Sequence, residues 1–446
     1  MIKKVLIANR GEIALRVIRA CKELGLKTVS VHSTADEKSL HRSFADQDVC
    51  IGEPASSDSY LNITRIIAAA EITGADAIHP GYGFLSERAR FSEACAEAGI
   101  NFIGPTKQII EMMGDKATAR ETMKKAGVPI IPGTGILTDV AEAVAAAKKV
   151  KYPVILKATA GGGGRGMRIC ENDEDLRKFF EIASNEALSA FGNAGMYMEK
   201  YIRNPHHIEV QILGDKQGNV IHLGERDCSI QRKHQKLIEE SPSPFISEKI
   251  RKKIREAAVR GAKESGYFGA GTMEFLVDDN GDDFFFIEMN TRIQVEHTVS
   301  EMITGIDLVK AQIQAADGLP LPIAQKDIDF RGHCIELRIN AEDPALDFMP
   351  NPGRLSGFHM PQGLGIRVDT HCYVDYTIPQ NYDSMIAKLI CWGNDRSEAI
   401  ARCKRCLDEF VIEGIKTTIP FHRKVMEDKT FVDGKASTGF LSTFKF

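Results

Sequence analysis

Glu288-Met-Asn-Thr-Arg-Ile-Gln-Val-Glu-His297 decides how this chain is read, because Glu288, Asn290, Arg292, Gln294 and Glu296 fall on every second residue. An extended backbone turns alternate side chains to one face and advances about 3.3 Å per residue, which places these groups along roughly 26 Å of one strand face. Met289, Ile293 and Val295 are then expected to pack inward. An ordinary wet strand face is filled with Lys, Glu and Thr. This one joins two carboxylates, two amides and a guanidinium directly after the apolar run Phe284 to Ile287.

Upstream, Gly271-Thr-Met-Glu-Phe-Leu-Val-Asp-Asp-Asn-Gly-Asp-Asp-Phe-Phe-Phe-Ile-Glu288 reads as a hairpin, since Asp279-Asn280-Gly281 is turn chemistry between two β-rich runs. Side chains alternate along a strand, so the parity of the loop decides the site. An odd loop sets Glu274 and Glu288 on one face; a two-residue Asn-Gly turn sets them on opposite faces. Two carboxylates beside Asn290 form a hard-oxygen site suited to Mg²⁺, which completes its shell with water and phosphate oxygens. A nucleotide is the natural source of those oxygens.

A phosphate contact is legible further back. Tyr152-Pro-Val-Ile-Leu-Lys-Ala-Thr-Ala160 is a short apolar strand carrying Lys157, followed by Gly161-Gly-Gly-Gly-Arg-Gly166 and the strand-like Met167-Arg-Ile-Cys170. The glycines match G-x-G-x-x-G, but a dinucleotide-binding loop opens a helix, and this one opens a strand. A Walker loop is excluded because no Lys-Ser or Lys-Thr follows. What fits is a strand-loop-strand flap whose backbone N–H groups cover phosphates, with Lys157 as a point charge.

At this point the residues carry a resemblance. Lys116, Lys157, the glycine flap, Met198-Glu-Lys-Tyr-Ile202 and the set Glu274, Glu288 and Asn290 resemble ATP-grasp ligases, and the Arg-Ile-Gln-Val-Glu-His segment narrows this to biotin carboxylases. The likeness runs through Ile7-Ala-Asn-Arg-Gly-Glu-Ile13, His79-Pro-Gly-Tyr-Gly-Phe-Leu-Ser-Glu87, Arg226-Asp-Cys-Ser-Ile-Gln-Arg-Lys-His-Gln-Lys236 and Arg338-Ile-Asn-Ala-Glu-Asp-Pro344, nearly the whole chain. Departures are few: Ala160 stands where the family often has another glycine, and Arg88-Ala-Arg90 and Thr298 replace more usual residues.

The resemblance implies an α/β chain with the ATP-grasp fold, and it implies roles. Glu199 and Lys200, with the backbone of Tyr201 and Ile202, would hold the adenine edge. Lys116 and Lys157, with the backbone of Gly163 and Gly164, would meet phosphate oxygens. His207, Gln231 and His234 would contact ribose or phosphate. Glu274, Glu288 and Asn290 would hold Mg²⁺ or Mn²⁺, two ions in all. Bicarbonate, a small planar anion, suits Arg292, Lys236, the Gln294 amide and the Val295 N–H. Glu296 would be the general base that takes its proton as it attacks the γ-phosphate to give carboxyphosphate. Arg338 would stabilise the oxyanion on biotin's ureido oxygen, and Tyr82, Gly83 and Gln235 would line the biotin side.

Length and composition agree. The 446 residues correspond to about three domains, and 43% hydrophobic with 26% charged residues is ordinary for a globular chain. A net charge of -4 gives no support to a nucleic-acid partner. No apolar run reaches membrane-spanning length, and Met1-Ile-Lys-Lys-Val-Leu-Ile7 leads into polar Asn9-Arg10 without a signal-peptide plan, so a cytosolic chain is expected. The ten cysteines are scattered, and Cys403-Lys-Arg-Cys406 sits inside an amphipathic helical pattern over 397–410, which favours core thiols over zinc.

Lys3 to Ala8 as strand, Glu12 to Leu24 as helix and Lys27 to His32 as strand make a βαβ unit, so residues 1–114 read as a parallel α/β domain. An ATP-grasp region over 115–334 follows, with a hinged lid at about 130–203, and then a terminal region over 335–446. No Ala-Met-Lys-Met biotin-attachment segment occurs. Biotin is therefore expected on a separate carrier protein, with separate carboxyltransferase subunits, and the resemblance implies a homodimeric carboxylase subunit of an acetyl-CoA carboxylase. Two other readings fit less well. A different ATP-grasp ligase leaves the bicarbonate-type cluster and Arg338 unexplained together, and a nicotinamide-dependent oxidoreductase lacks its strand-glycines-helix fingerprint.

Overall fold

The computed structural model describes residues 1–137, 139–158, 168–191 and 195–446. The N-terminal strands form a five-stranded parallel sheet in the order Gln47–Gly52, Lys27–Ser33, Lys4–Ile7, Ala77–His79, Asn101–Phe102. The expected βαβ unit is present as Lys4–Ile7, the helix Gly11–Glu23 and Lys27–Ser33. That helix forms because Ile13, Ala14, Val17, Ile18 and Cys21 recur at helical spacing and are buried on one face. Each large apolar side chain so buried contributes roughly 1.5–3 kcal/mol, and the connection returns beside its own strand as parallel pairing requires.

The centre of the molecule is an eight-stranded antiparallel sheet. Its order is Phe284–Asn290, Gly269–Val277, His206–Gly214, Val220–Arg232, Gln235–Ser241, His333–Asn340, Met385–Gly393, Ile366–Thr370. Residues 334 and 335 lie inside one strand of this sheet, His333–Asn340, so hydrogen bonding runs without a break from the hairpin over 269–290 to the C-terminal strands. Cys403 and Cys406 are buried in the core on the helix Arg396–Glu409, as the helical pattern predicts.

A third, small sheet is built from Arg168–Cys170, Val154–Ala158 and Met196–Lys200, covered by the helices Val140–Val150 and Asp173–Phe191. Val154–Ala158 and Arg168–Cys170 pair antiparallel, which is the strand-loop-strand pattern read from the glycine run. The glycine run itself, Gly163 and Gly164 included, lies outside the described residues.

Candidate active site

The hairpin brings its two carboxylates together by a route other than loop parity. The turn spans six residues, 278–283, with the Asp278 carboxylate accepting from the N–H groups of Asp282 and Asp283 at 2.9 and 3.0 Å. An even loop would set Glu274 and Glu288 on opposite faces. A bulge at Ile287 shifts the register by one, so Glu274 faces Glu288 directly and Thr272 faces Asn290.

Beyond Asn290 the expected extended face does not continue. The strand ends there, and residues 291–296 turn into the helix His297–Thr304. The turn gathers what a strand would have spread out. Arg292 donates to Asn290 at 3.0 Å and to Glu87 at 2.8 Å, Gln294 donates to Glu274 at 2.9 Å, and Glu296 accepts from Lys236 at 2.6 Å and from Arg338 at 2.8 Å. Met289 and Ile293 are buried as expected, whereas Val295 is half-buried and lines a cavity. The alternation therefore named groups that the fold does bring together but misstated the backbone that carries them.

Lys236 is the hub. Its ammonium has three donors, and they meet Glu209 at 2.5 Å, Glu274 at 3.0 Å and Glu296 at 2.6 Å. Beneath it Arg226, fully buried, makes five bonds with its five donors, to Glu209, Gln211, Ser300, Thr272 and Gln294, at 2.6–3.1 Å. Removing charge from water is costly unless every partner is matched, and here the matching is complete on the cationic side. Burial alone would raise the carboxyl pKa of Glu296. Lys236, Arg338 and Arg226 outweigh it, against the opposing charge of Glu209, and hold the group below its ordinary value, so that it stays an anion. Arg338 is pinned through Nε and Nη2 to Glu239 at 2.6 and 2.5 Å, with Nη2 also on Glu296, so that among the described residues Nη1 is the unpaired end of the guanidinium.

A cavity of about 510 Å³ opens over this cluster, and Lys236, Arg292, Val295 and Arg338 share its wall with Tyr82, Gly83 and Gln235. The residues expected to hold the anion and those expected on the biotin side thus meet in one space. A second cavity of about 220 Å³ is lined by Lys116, Glu288, Asn290 and Glu87. The donor set there fits a divalent cation. Burial first, and then the neighbouring carboxylate of Glu274, push the Glu288 pKa upward, with Lys116 opposing, as happens to a carboxylate short of positive charge. Glu274 itself is held well below its usual value: burial is outweighed by Lys236 and His207. The His207 imidazole, 3.0 Å from Glu274, is pushed up to about 9 because the two carboxylates Glu274 and Glu209 outweigh its burial.

The residues expected at the adenine edge lie on the small sheet or directly after it. Glu199 pairs with Lys157 at 2.5 Å and with Arg120, so the lysine expected on phosphate is held by the neighbouring strand. The Lys200 ammonium is engaged by the carbonyls of Lys151 and Tyr152 at 3.1 and 2.9 Å. The Tyr201 N–H donates to the Pro153 carbonyl at 3.0 Å, and Ile202 follows half-buried. Gln231 donates to the Cys228 carbonyl at 2.8 Å. His234 is exposed in a two-residue hairpin turn where both Lys233 (φ 49) and His234 (φ 66) are left-handed. Non-glycine residues there are strained, and such strain collects at functional sites.

Several site residues were not singled out from the sequence. Glu209 stands with His207 and Gln211 at alternate positions of His206–Gly214, and that polar alternation was a usable signal. Glu87, Glu239 and Glu12 carry no local signal, because their partners lie 70 or more residues away in sequence, and neither does Lys388, whose hydrogen bond to Val295 spans 93 residues.

The biotin carboxylase N-terminal domain family matches residues 1–110, the ATP-binding domain of the carbamoyl-phosphate synthase L chain matches 115–324, and the biotin carboxylase C-terminal domain family matches 336–443. Biotin carboxylase 1 of Bacillus subtilis is 58% identical over 445 residues, covering 100% of this chain and 99% of that one. The chain belongs to the biotin carboxylase family. A pyruvate carboxylase subunit from Methanothermobacter thermautotrophicus is 54% identical, covering 100% of this chain and 90% of its own length. Among solved structures, the dimeric biotin carboxylase domain of Hydrogenobacter thermophilus 2-oxoglutarate carboxylase, in complex with MgADP, ADP and bicarbonate, superposes with a TM-score of 0.87 at 53% identity, over 99% of this chain and 97% of that one. The ATP-grasp fold expected of the biotin carboxylase family is the fold observed. No helix among the described residues is long and apolar enough to cross a membrane.

Proposed function

We propose that this chain carboxylates biotin, borne on a separate carrier protein, at the expense of ATP and bicarbonate. One observation carries the reading: the large cavity joins Lys236, Arg292 and Val295 to Tyr82, Gly83, Gln235 and Arg338, so an activated one-carbon anion and a ureido acceptor would share one wall. Bicarbonate held by Lys236 and Arg292 gives its proton to Glu296 as its oxygen attacks the γ-phosphorus, forming a C–O–P bond and releasing ADP. Carboxyphosphate then breaks to CO₂ and phosphate beside biotin, the ureido N1′ proton passes to that phosphate, and N1′ forms its bond to the CO₂ carbon. Arg338, held by Glu239 and Glu296, offers its remaining N–H groups to the ureido oxygen as negative charge develops there. Lys116 and Lys157 would face phosphate oxygens, with Gly163 and Gly164, and Glu199, Lys200, Tyr201 and Ile202 would frame the adenine; His207, Gln231 and His234 complete that side. Glu274, Glu288 and Asn290 would hold Mg²⁺, or Mn²⁺ in its place, which when bound neutralises the phosphates. The division into 1–114, 115–334 with a lid at 130–203, and 335–446 belongs to the same reading, as does a homodimer.

The finer reading is the carboxylase subunit of acetyl-CoA carboxylase, supported by the likeness to relatives named simply biotin carboxylase. The 54% identity to a pyruvate carboxylase subunit favours a second acceptor, pyruvate. Two measurements test these in turn. ATP cleavage should require bicarbonate and rise with free biotin; cleavage indifferent to both would refute the activity. The biotinylated protein recovered with this chain from native extract, and the acyl carboxyltransferase that accompanies it, should identify the acceptor.

A further inference from the structure

Lys388 lies on the interior strand Met385–Gly393 with a side chain that is 0% exposed. An enclosed ammonium is strongly disfavoured unless it is paired and hydrogen-bonded. It donates to the Val295 carbonyl at 2.9 Å, pairs with Glu12 at 3.3 Å and stands 3.9 Å from Asp369. Glu336 on its own sheet supports its charge, and Arg367 opposes it. His297, on the helix that follows the turn, is kept neutral by burial and by the cations Lys388, Arg16 and Arg367. The Glu12 oxygen that meets Lys388 also accepts from the Tyr82 hydroxyl, while its second oxygen is buried without a partner.

The result is an unbroken chain of contacts: Tyr82 hydroxyl, Glu12 carboxylate, Lys388 ammonium, Val295 carbonyl. Tyr82, Glu12 and Val295 line the large cavity, and Lys388, which ties Glu12 to Val295 from behind its wall, does not. Fixing the Val295 carbonyl fixes the peptide that leads to Glu296, and so the bearing of that carboxylate toward Lys236 and Arg338. We infer that Lys388 and Glu12 are positioning residues that tie the biotin-facing wall at Tyr82 to the bicarbonate-facing turn at Val295 and Glu296, so that filling one side of the cavity orders the other. The inference rests on the proposed function, because it is that reading which assigns the two sides.

Two variants test it. Lys388→Met removes the ammonium and leaves Glu12 free to protonate, since burial already raises its pKa. Glu12→Gln keeps an acceptor for Tyr82 and weakens only the ion pair, so it decides the matter if Lys388→Met fails to fold. The readouts are the KM for bicarbonate, the KM for ATP, and the ratio of ATP cleavage with and without free biotin. A lost hydrogen bond from a charged donor predicts a bicarbonate KM raised about tenfold, an ATP KM within about twofold, and a biotin stimulation reduced toward unity. A folded variant whose kcat falls while the bicarbonate KM and the biotin stimulation stay as in the parent overturns the inference, as does an unchanged Glu12→Gln enzyme. Bicarbonate-independent cleavage by the parent protein would instead overturn the functional reading, and the inference with it.

Discussion

The ion pairs beneath the large cavity and those on the three-stranded sheet are built from the same residue types but differ in how far they are sealed from water. Glu209, Glu296 and Lys236 are 0%, 3% and 11% exposed, whereas Lys157 and Arg120 around Glu199 are 28% and 32% exposed. In the sealed cluster each charge acts through a low effective dielectric and has no water to replace a lost partner, so geometry is fixed before any ligand arrives. On the small sheet water reaches Lys157 and Arg120, though not the buried Glu199 carboxylate between them, so Lys157 could turn to a phosphate at modest cost while Arg120 stays on Glu199. Rigid charges suit bond-making at a fixed point. Exchangeable charges suit a surface that must accept and release a nucleotide.

Substitutions can break or sharpen this contrast. The largest effect is expected at Glu288 on the hairpin: Glu288→Lys places a cation where two carboxylates face each other and should abolish magnesium-dependent ATP turnover, with thermal unfolding nearly unchanged because the side chain opens onto the smaller cavity instead of packing in the core. Ordinary turnover by that variant would remove Glu288 from the metal site. Next, Glu296→Ala should lose bicarbonate-dependent ATP cleavage by about 100-fold or more, while Arg338→Ala retains much of that cleavage and loses carboxybiotin. Because the two side chains touch at 2.8 Å, the double variant should fall short of additivity. Phosphate release and carboxybiotin measured in parallel decide this; equal loss of both activities in both variants would mean that the roles are not divided.

A smaller effect concerns pH. His207 is raised from 6.5 to about 9 by the carboxylates beside it, so its contribution to stability is complete below about 6.5 and is lost as pH rises through about 9. Urea unfolding of the metal-free protein should show the parent losing on the order of 2 kcal/mol more than His207→Gln between about pH 6 and pH 9.5. Parallel stability curves would show that the pair contributes nothing. The smallest effect belongs to the open region: Arg120→Ala should raise the KM for ATP only two- to fivefold, about 1 kcal/mol at most, with kcat preserved. A loss as large as that of Glu296→Ala would erase the distinction between the two regions.

Local chemistry was legible where partners are near in sequence. The alternation in 288–296, the hairpin before it and the parallel βαβ unit at the N-terminus all follow from spacing, and the resemblance supplied the fold that joins them. Two features were not legible. The bulge at Ile287 changes the register by one residue with no glycine or proline to announce it, and it alone sets Glu274 opposite Glu288. The turn after Asn290 is imposed by distant partners, with Glu87 holding Thr291 and Arg292, Arg226 holding Gln294, and Lys388 holding Val295. Tertiary contacts of this kind override a period-two pattern, because a few buried charged hydrogen bonds outweigh the modest preference of a short segment for extension.

The continuity of the central sheet through residues 334 and 335 bears on how this chain can be handled in pieces. Four register pairs join Gln235–Ser241 to His333–Asn340, from Ile238 opposite Leu337 to Ser241 opposite Cys334. A fragment cut at that point would bare a long row of backbone N–H and C=O groups on each half, a ready template for pairing with other copies. Isolated N- and C-terminal fragments should therefore precipitate when made separately and recover solubility only when produced together. A fluorescent reporter split at this seam would register assembly of the whole sheet.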